Sequence, residues 1–471
     1  MSVLNLSILW LICCVTTAAT QTCEIENVDS YIHLKCHELS SLEDIVDFPT
    51  TNLRMLEIIN TQTKLTIGAA NSLLNMPQLS TLDLSHVSRL ELLSEGFSNL
   101  PKLYEINISG CGVEQLLASH FPAECCVEEL YASDNKLSVL TKDFFSKVPK
   151  LLFAFFANNS LSHVELPYME YLTFLDLSHN NLTTFNITFG NCPRLINLYL
   201  NNNNLTQFQI TLPAEIVNSS VEKVFSLKAL DLSNNSISEL IENQFELLGE
   251  LVILELSGNK ISVLKSAHFA GLTSLRYLHL ESNGKLELTE HTFEALKKLE
   301  WLDLSHNGLE NLDPHLFGYK QKDSQGLYEY LPMAHMRRLN LNGNKLQQLD
   351  PGTFEKLPFL EELCLSNNAL RVLPEGLFVP IQNLKVLDMR HNQLTEISSD
   401  ILKSLNNAKD LLINYNQLTT LPDLNGTLSH LRFIGIDGNP WERASFAQSE
   451  QWLIARKIRY LTGDYEFYSS D

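Results

Sequence analysis

The chain has 471 residues, 44% hydrophobic, 9% aromatic and 19% charged, which is too apolar for disorder and too mixed for a fibrous protein. Lys and Arg number 34 against 55 Asp and Glu, a formal net charge of -21. That balance argues against a nucleic-acid partner and against an anionic membrane surface, because polyanions reward cationic surfaces. The N-terminus opens with an apolar run from Val3 to Val15 that closes on Thr17, Ala18, Ala19 and Thr20. This reads as a secretory signal peptide over residues 1–20, although no Lys or Arg precedes the run. The run is shorter than the ~20 residues a membrane span needs, and no other stretch is long and apolar enough. The tail GDYEFYSSD is polar and acidic, unlike a membrane helix or a lipid-anchor signal. The expected product is extracellular and secreted, with no membrane span.

Of nine cysteines, Cys13 and Cys14 fall in the signal; Cys23, Cys36, Cys111, Cys125, Cys126, Cys192 and Cys364 remain. An odd number in an oxidising compartment leaves at least one without an internal partner. Sequons at Asn107, Asn158, Asn181, Asn186, Asn204, Asn218, Asn234 and Asn425 read as glycosylation sites of a glycoprotein.

A repeat governs the rest of the chain. The pattern L-x-x-L-x-L-x-x-N-x-L is matched from Leu172, Leu227, Leu251, Leu299 and Leu360, and from Leu384 with Met389 at the third apolar site. Degenerate copies start at Leu53, Leu79, Leu103, Val127, Leu151, Leu195, Leu275, Met336, Ala408 and Leu431, making about sixteen. Most steps are 24 residues, and segments such as HFAGLTSL and TFEALKKL recur between copies. This pattern resembles the extracellular leucine-rich repeat of the typical 24-residue class. In outline the chain is similar to Toll-like receptor ectodomains and to soluble leucine-rich-repeat proteins of invertebrate immunity.

Each copy is expected to give one short strand with its first, fourth and sixth side chains inward. One coil cannot bury that face alone, so stacked coils share a core. Asn180, Asn235, Asn259, Asn307 and Asn368, at the ninth position, are read as satisfying backbone groups of adjacent coils. Phe269, Phe293 and Phe354 fill the outer side. Thr61, Val87 and Cys111 stand at the Asn position of early copies, so the first coils are expected to be less regular. Steps of 32 residues from Leu195 and 37 from Leu299 imply surface insertions; the second holds YKQKDSQGLYEYLP.

The resemblance implies an N-terminal cap over 21–52 with Cys23 bonded to Cys36, then repeats over 53–440. GNPW, Gly438 to Trp441, is similar to the start of the family's C-terminal cap, but no cysteines follow. A cysteine-free helical cap and tail is therefore expected over 441–471. Ser445 and Gln448 are read as a capping box, and Phe446, Leu453, Ile454, Ile458 and Leu461 as a helical apolar face. Cys192 lies about three coils from Cys125 and Cys126, roughly 14 Å at strand spacing, too far for a disulfide. Cys125, Cys126 and Cys364 are left as candidates for an intermolecular disulfide, with free thiols as the alternative.

No catalytic motif, metal motif or cofactor site is read from the chain, and no enzyme activity is expected. His86, His179, His306 and His391 share one repeat position several coils apart and cannot share an ion. Asp83, Asp176, Asp231, Asp303 and Asp388 are repeat consensus. Two aromatic clusters break the polar habit of the exposed strand positions: Tyr131, Phe153, Phe155, Phe174 and Tyr199, and Tyr277 with Trp301. Such clusters are a binding signature, for an extracellular protein or glycan ligand.

The expected fold is thus an α/β solenoid, a right-handed leucine-rich-repeat horseshoe with a concave parallel sheet, capped at both ends. The expected function is a secreted protein-binding scaffold for recognition or complex assembly in innate immunity, with a dimer among the outcomes. The alternatives are a cell-adhesion or guidance ligand, or a non-catalytic carrier or regulatory subunit of an extracellular enzyme.

Overall fold

The computed structural model describes residues 23–28, 31–37, 39, 45, 50–59, 64–68, 76–85, 87–188, 190–212, 225–422, 424 and 426–461. The signal segment, Thr61, His86, Asn218, Asn425 and the tail lie outside the described residues. The chain divides into two compact units, Met1–Val221 with Phe225–Leu227, and Glu222–Val224 with Lys228–Asp471.

The first unit opens on an antiparallel hairpin, Cys23–Val28 against Tyr31–His37, with Cys23 opposite Cys36. These two cysteines are disulfide-bonded. Parallel pairing then runs from Tyr31–His37 through Leu53–Ile59, Thr81–Asp83, Glu105–Asn107, Glu129–Tyr131, Phe153–Phe155 and Phe174–Asp176 to Asn197–Tyr199. The first coil departs from the rest: its strand, Leu53–Ile59, has seven residues where the later ones have three. In the second unit the strands Ala229–Asp231, Ile253–Glu255, Tyr277–His279, Trp301–Asp303, Arg338–Asn340, Glu362–Cys364, Val386–Asp388, Asp410–Leu412 and Phe433–Gly435 pair in parallel in that order. Each unit is a parallel-sheet solenoid of stacked coils. Side chains alternate along each strand, so the fourth and sixth positions point into the core, and the first, just ahead of the strand, joins them there; Leu251, Leu254 and Leu256 are all 0% exposed.

The return side is mostly turn and short 3-10 helix, with the six-residue α-helices Lys142–Lys147 and Ser399–Ser404. It is filled by phenylalanines. Phe269, Phe293 and Phe317 are buried, with ring centroids 5.9 and 6.4 Å apart.

The ninth-position asparagines form a ladder between coils. Asn259 donates from Nδ2 to Leu232 O (2.9 Å) in the preceding coil and to Leu256 O (3.1 Å) in its own. Its Oδ1 accepts from Ile237 N at 3.0 Å. Asn180, Asn368, Asn392 and Asn416 repeat the arrangement. Cys111 does the same work by other means: its Sγ donates to Leu84 O at 3.0 Å and accepts from the Val87 amide.

The residue before each ladder asparagine is left-handed. His179, His306 and His391 have φ of 53°, 55° and 51°, and Gly258 and Gly343 take the same role at 62° and 67°. Asn, Asp, His and Gly tolerate that region best, which gives the recurrent histidines a backbone reason. The fifth-position aspartates also have one. Asp176, Asp231 and Asp303 each accept the amide two residues on, at 2.8 to 2.9 Å, and so close the strand into its turn.

The C-terminal cap differs from the sequence expectation. The helix Arg443–Ala455 follows Glu442, which caps it with no side-chain bond. Ser445 and Gln448 therefore lie inside the helix and form no capping box. Its entry is set instead by Trp441, whose Nε1 donates to Ile436 O at 2.8 Å, and by Glu442 N on Thr419 O at 2.9 Å. Ile454 is 60% exposed, so it is not part of the apolar face. The helix ends in a Schellman motif. Lys457, with φ 57°, donates to Ile454 O at 3.0 Å, and Ile458 to Leu453 O at 3.0 Å. Leu453 and Ile458 are buried there, and the chain swings back so that Arg459–Leu461 adds a parallel strand to Phe433–Gly435. Leu461 is thus a strand residue, and the unit is closed by a helix and a strand together.

Candidate functional site

In the first unit the five aromatic residues form one contiguous surface. Tyr131 and Phe155 stack with centroids 4.7 Å apart and planes 5° apart. Phe155 meets Phe174 at 4.8 Å, Phe174 meets Tyr199 at 5.3 Å, and Phe153 meets Phe174 at 6.5 Å. Strand register explains this. Tyr131, Phe155, Asp176 and Tyr199 occupy one row, and Glu129, Phe153, Phe174 and Asn197 the row beside it. Both rows point away from the leucine core. Phe153 is exposed and the other four are half-buried.

Carboxylates rim the patch. The Tyr131 hydroxyl donates to Glu129 Oε2 at 2.9 Å, and burial together with that acceptor pushes its pKa up to about 12. Burial, then repulsion from Glu129, raises the Glu105 carboxyl. Asn107 pairs with Tyr131 in register at the patch edge and is half-buried. Asn158, Asn181, Asn186, Asn204 and Asn234 are exposed.

In the second unit Tyr277 pairs with Trp301 in register. The Trp301 ring meets His279 edge-on at 4.8 Å and carries the Arg338 guanidinium 5.3 Å from its centroid. His279, Glu281 and Asp303 each offer one ligand atom, all within 4.8 Å of one another. Sequence reading passed over this group because it followed the eighth-position histidines. The available signal was His279 standing at a fifth position, where Asp is the habit, between Glu255 and Asp303.

The 37-residue step is an ordered antiparallel hairpin, Tyr319–Lys322 against Tyr328–Leu331. Asp323 Oδ1 accepts from Gln325 N and Leu327 N, both at 2.8 Å, to close its turn. Lys322 lies 5.3 Å over the Tyr328 ring and Lys297 4.9 Å over Tyr319. The Tyr330 hydroxyl donates to His315 O at 2.9 Å and touches His291 Nδ1. Leu327 and Tyr328 at the tip are 64% and 71% exposed.

Cys111, Cys125, Cys126, Cys192 and Cys364 are unbonded thiols. Burial pushes Cys111, Cys192 and Cys364 up to about 12 and raises Cys125 as well. Cys364 is further tied to Ser366 Oγ at 3.1 Å. Cys126 is half-buried, with Lys150 Nζ 3.6 Å from its sulfur. Among the described residues no helix is long and apolar enough to cross a membrane.

The leucine rich repeat family model matches residues 225–284, 278–319 and 334–394, and a second leucine rich repeat model matches 171–192. Keratocan of Coturnix japonica and of Gallus gallus are each 30% identical over 115 residues, 23% of this chain and 32% of theirs. The chain thus spans about a third of the length of these curated relatives. A leucine-rich-repeat protein of Leptospira interrogans has a similar structure, with TM-score 0.67 and 24% identity over 87% of this chain and 96% of that one. A chain of the Drosophila Toll–Spatzle complex gives TM-score 0.58 and 20% identity over 91% of this chain and 56% of that one. The matched segments are leucine-rich repeats, and the fold is that of a leucine-rich-repeat solenoid.

Proposed function

We propose that this protein is an extracellular, non-catalytic binding scaffold whose aromatic patch at Tyr131, Phe153, Phe155, Phe174 and Tyr199 receives a protein partner. The observation that carries the reading is the contiguity of that patch on a solvent-facing sheet. Four rings in a chain of contacts of 4.7 to 5.3 Å give a rigid apolar surface that side-chain ordering on binding would cost little. The acidic rim of Glu105, Glu129 and Asp176 favours a partner with an apolar centre and basic flanks. The disulfide-closed N-terminal hairpin and the five exposed sequons support an exported chain. The resemblance of the repeats to immune ectodomains makes innate-immune complex assembly the first setting to test. Of the three cysteines considered for an intermolecular bridge, Cys125 is buried and the half-buried Cys364 is pushed up to about 12, which leaves the half-buried Cys126 as the one to test.

The test is Phe155→Asp. Wild type and variant are secreted from the same cells, added to native body fluid, cross-linked and analysed by mass spectrometry, reduced and non-reduced. Normal secretion with loss of the wild-type partner supports the site. Retained partner removes the proposal, and lost secretion assigns Phe155 to folding and removes it as well.

A further inference from the structure

We propose that His279, Glu281 and Asp303 form a binding site for a divalent transition-metal ion of the zinc or manganese class, on the exposed strand face of the second unit. Parallel register sets Asp231, Glu255, His279 and Asp303 in one row on four successive strands. Glu281 follows two residues after His279, just beyond its strand. The three ligand atoms lie within 4.8 Å of one another, so an ion with bonds of about 2.1 Å needs only a small closure of the side chains.

Two features mark this as more than an acidic cluster. The first is the donor set: an imidazole nitrogen beside two carboxylates suits zinc or manganese, whereas calcium takes oxygen alone. The second is Glu281 Oε2, which is sealed from solvent and meets no hydrogen-bond donor, whereas the carboxyl group is otherwise held by Ser257 and by the Glu281 backbone. A buried carboxylate oxygen without a donor is costly, and an ion would satisfy it. Asp303 is already fixed for the purpose. It is 8% exposed, its Oδ2 accepts from Asn340 Nδ2 at 2.7 Å, and its Oδ1 accepts from Ser305 N at 2.8 Å and Ser305 Oγ at 2.6 Å. Such outer contacts orient ligands. The Trp301 ring against His279 restricts the imidazole in the same way.

The electrostatics agree with the geometry. Burial lowers the His279 pKa. Burial and the neighbouring carboxylates push Glu255 up to about 8 and raise Glu281. Glu255 Oε1 stands 3.7 Å from His279 Nε2, on the neighbouring strand. The nearby cations do not neutralise the group, because Arg276 pairs with Glu300 at 3.0 Å and Arg338 with Glu362 at 3.2 Å.

The experiment is isothermal titration of the full-length, chelator-stripped protein with zinc chloride, manganese chloride and calcium chloride at pH 7.5. His279→Gln and Glu281→Gln are titrated alongside, with circular dichroism and thermal melting of each variant. One-to-one binding of zinc or manganese is expected in the wild type, weakened about tenfold or more in both variants. Should His279→Gln misfold, Glu281→Gln keeps the side-chain volume and gives the same reading. Absence of saturable binding by either ion overturns the proposal. So does binding of equal strength in the folded variants, or a calcium-selective site that survives His279→Gln.

Discussion

Replacing Asn259 by Ala removes one rung of the asparagine ladder and leaves the leucine core untouched. Asn259 is 5% exposed, so water does not replace what is lost. The Leu232 carbonyl loses a 2.9 Å bond and the Ile237 amide a 3.0 Å bond, both in the preceding coil. The Ile237 amide is left unpaired at ~1–3 kcal/mol, whereas the Leu232 carbonyl keeps the Asn235 Nδ2 bond at 3.0 Å and loses only ~1 kcal/mol, so the expected loss is about 2–4 kcal/mol. The Cys111 geometry sharpens the expectation. A thiol there both donates and accepts, so Asn259→Cys should lose roughly half as much as Asn259→Ala. Chemical denaturation reads the energy, and hydrogen exchange with mass spectrometry locates it, with Ile237 among the amides that lose protection. The exposed Lys260→Ala serves as control. A loss below about 1 kcal/mol in Asn259→Ala, or unchanged protection at Ile237, would refute the idea that the ladder supports the stack.

Other predictions rest on other parts of the fold. Phe293→Ala empties a fully buried site between Phe269 and Phe317 and should cost about 3–5 kcal/mol by denaturation. Glu255 sets a pH dependence in the metal-free protein. Its folded pKa of about 8 lies above the ordinary value of 4.5, so the folded state holds the proton more tightly. Its stability contribution is full below pH 4.5 and falls as pH rises toward about 8. Glu255→Gln should therefore flatten the decline in melting temperature between pH 5 and pH 8, and an unchanged slope would remove Glu255 as its source. Iodoacetamide should label Cys126 ahead of Cys364 in the native protein, since both are half-buried but the Cys364 thiol is pushed up to about 12, with the buried Cys111, Cys125 and Cys192 reacting only after unfolding; labelling of Cys364 ahead of Cys126 on a peptide map would contradict this order.

The fold was legible because its physics is periodic. Leucines at the first, fourth and sixth positions and an asparagine at the ninth state where the core and the inter-coil bonds lie. The same spacing puts Tyr131, Phe155, Phe174 and Tyr199 on one face. What repeat logic misses is local and aperiodic. The Schellman turn at Lys457 carries no glycine, so nothing in the sequence announced that the helix would stop and a strand follow. The hairpin at Tyr319–Leu331 belongs to no repeat, and its order comes from its own turn and lysine–tyrosine contacts. The His279 group was hidden because an aspartate-rich row looks like consensus until register shows which neighbours face one another.

The asparagine ladder has a direction. Each rung reaches back to the coil before it, so a coil's turn is completed by a residue about 22 positions further on, as Leu394 is by Asn416. On a ribosome, the newest coil would therefore stay provisional until its successor emerged. Among the described residues the last rung is Asn439 on Ile413 O and Leu418 N, so coils would be completed in the order in which they are made.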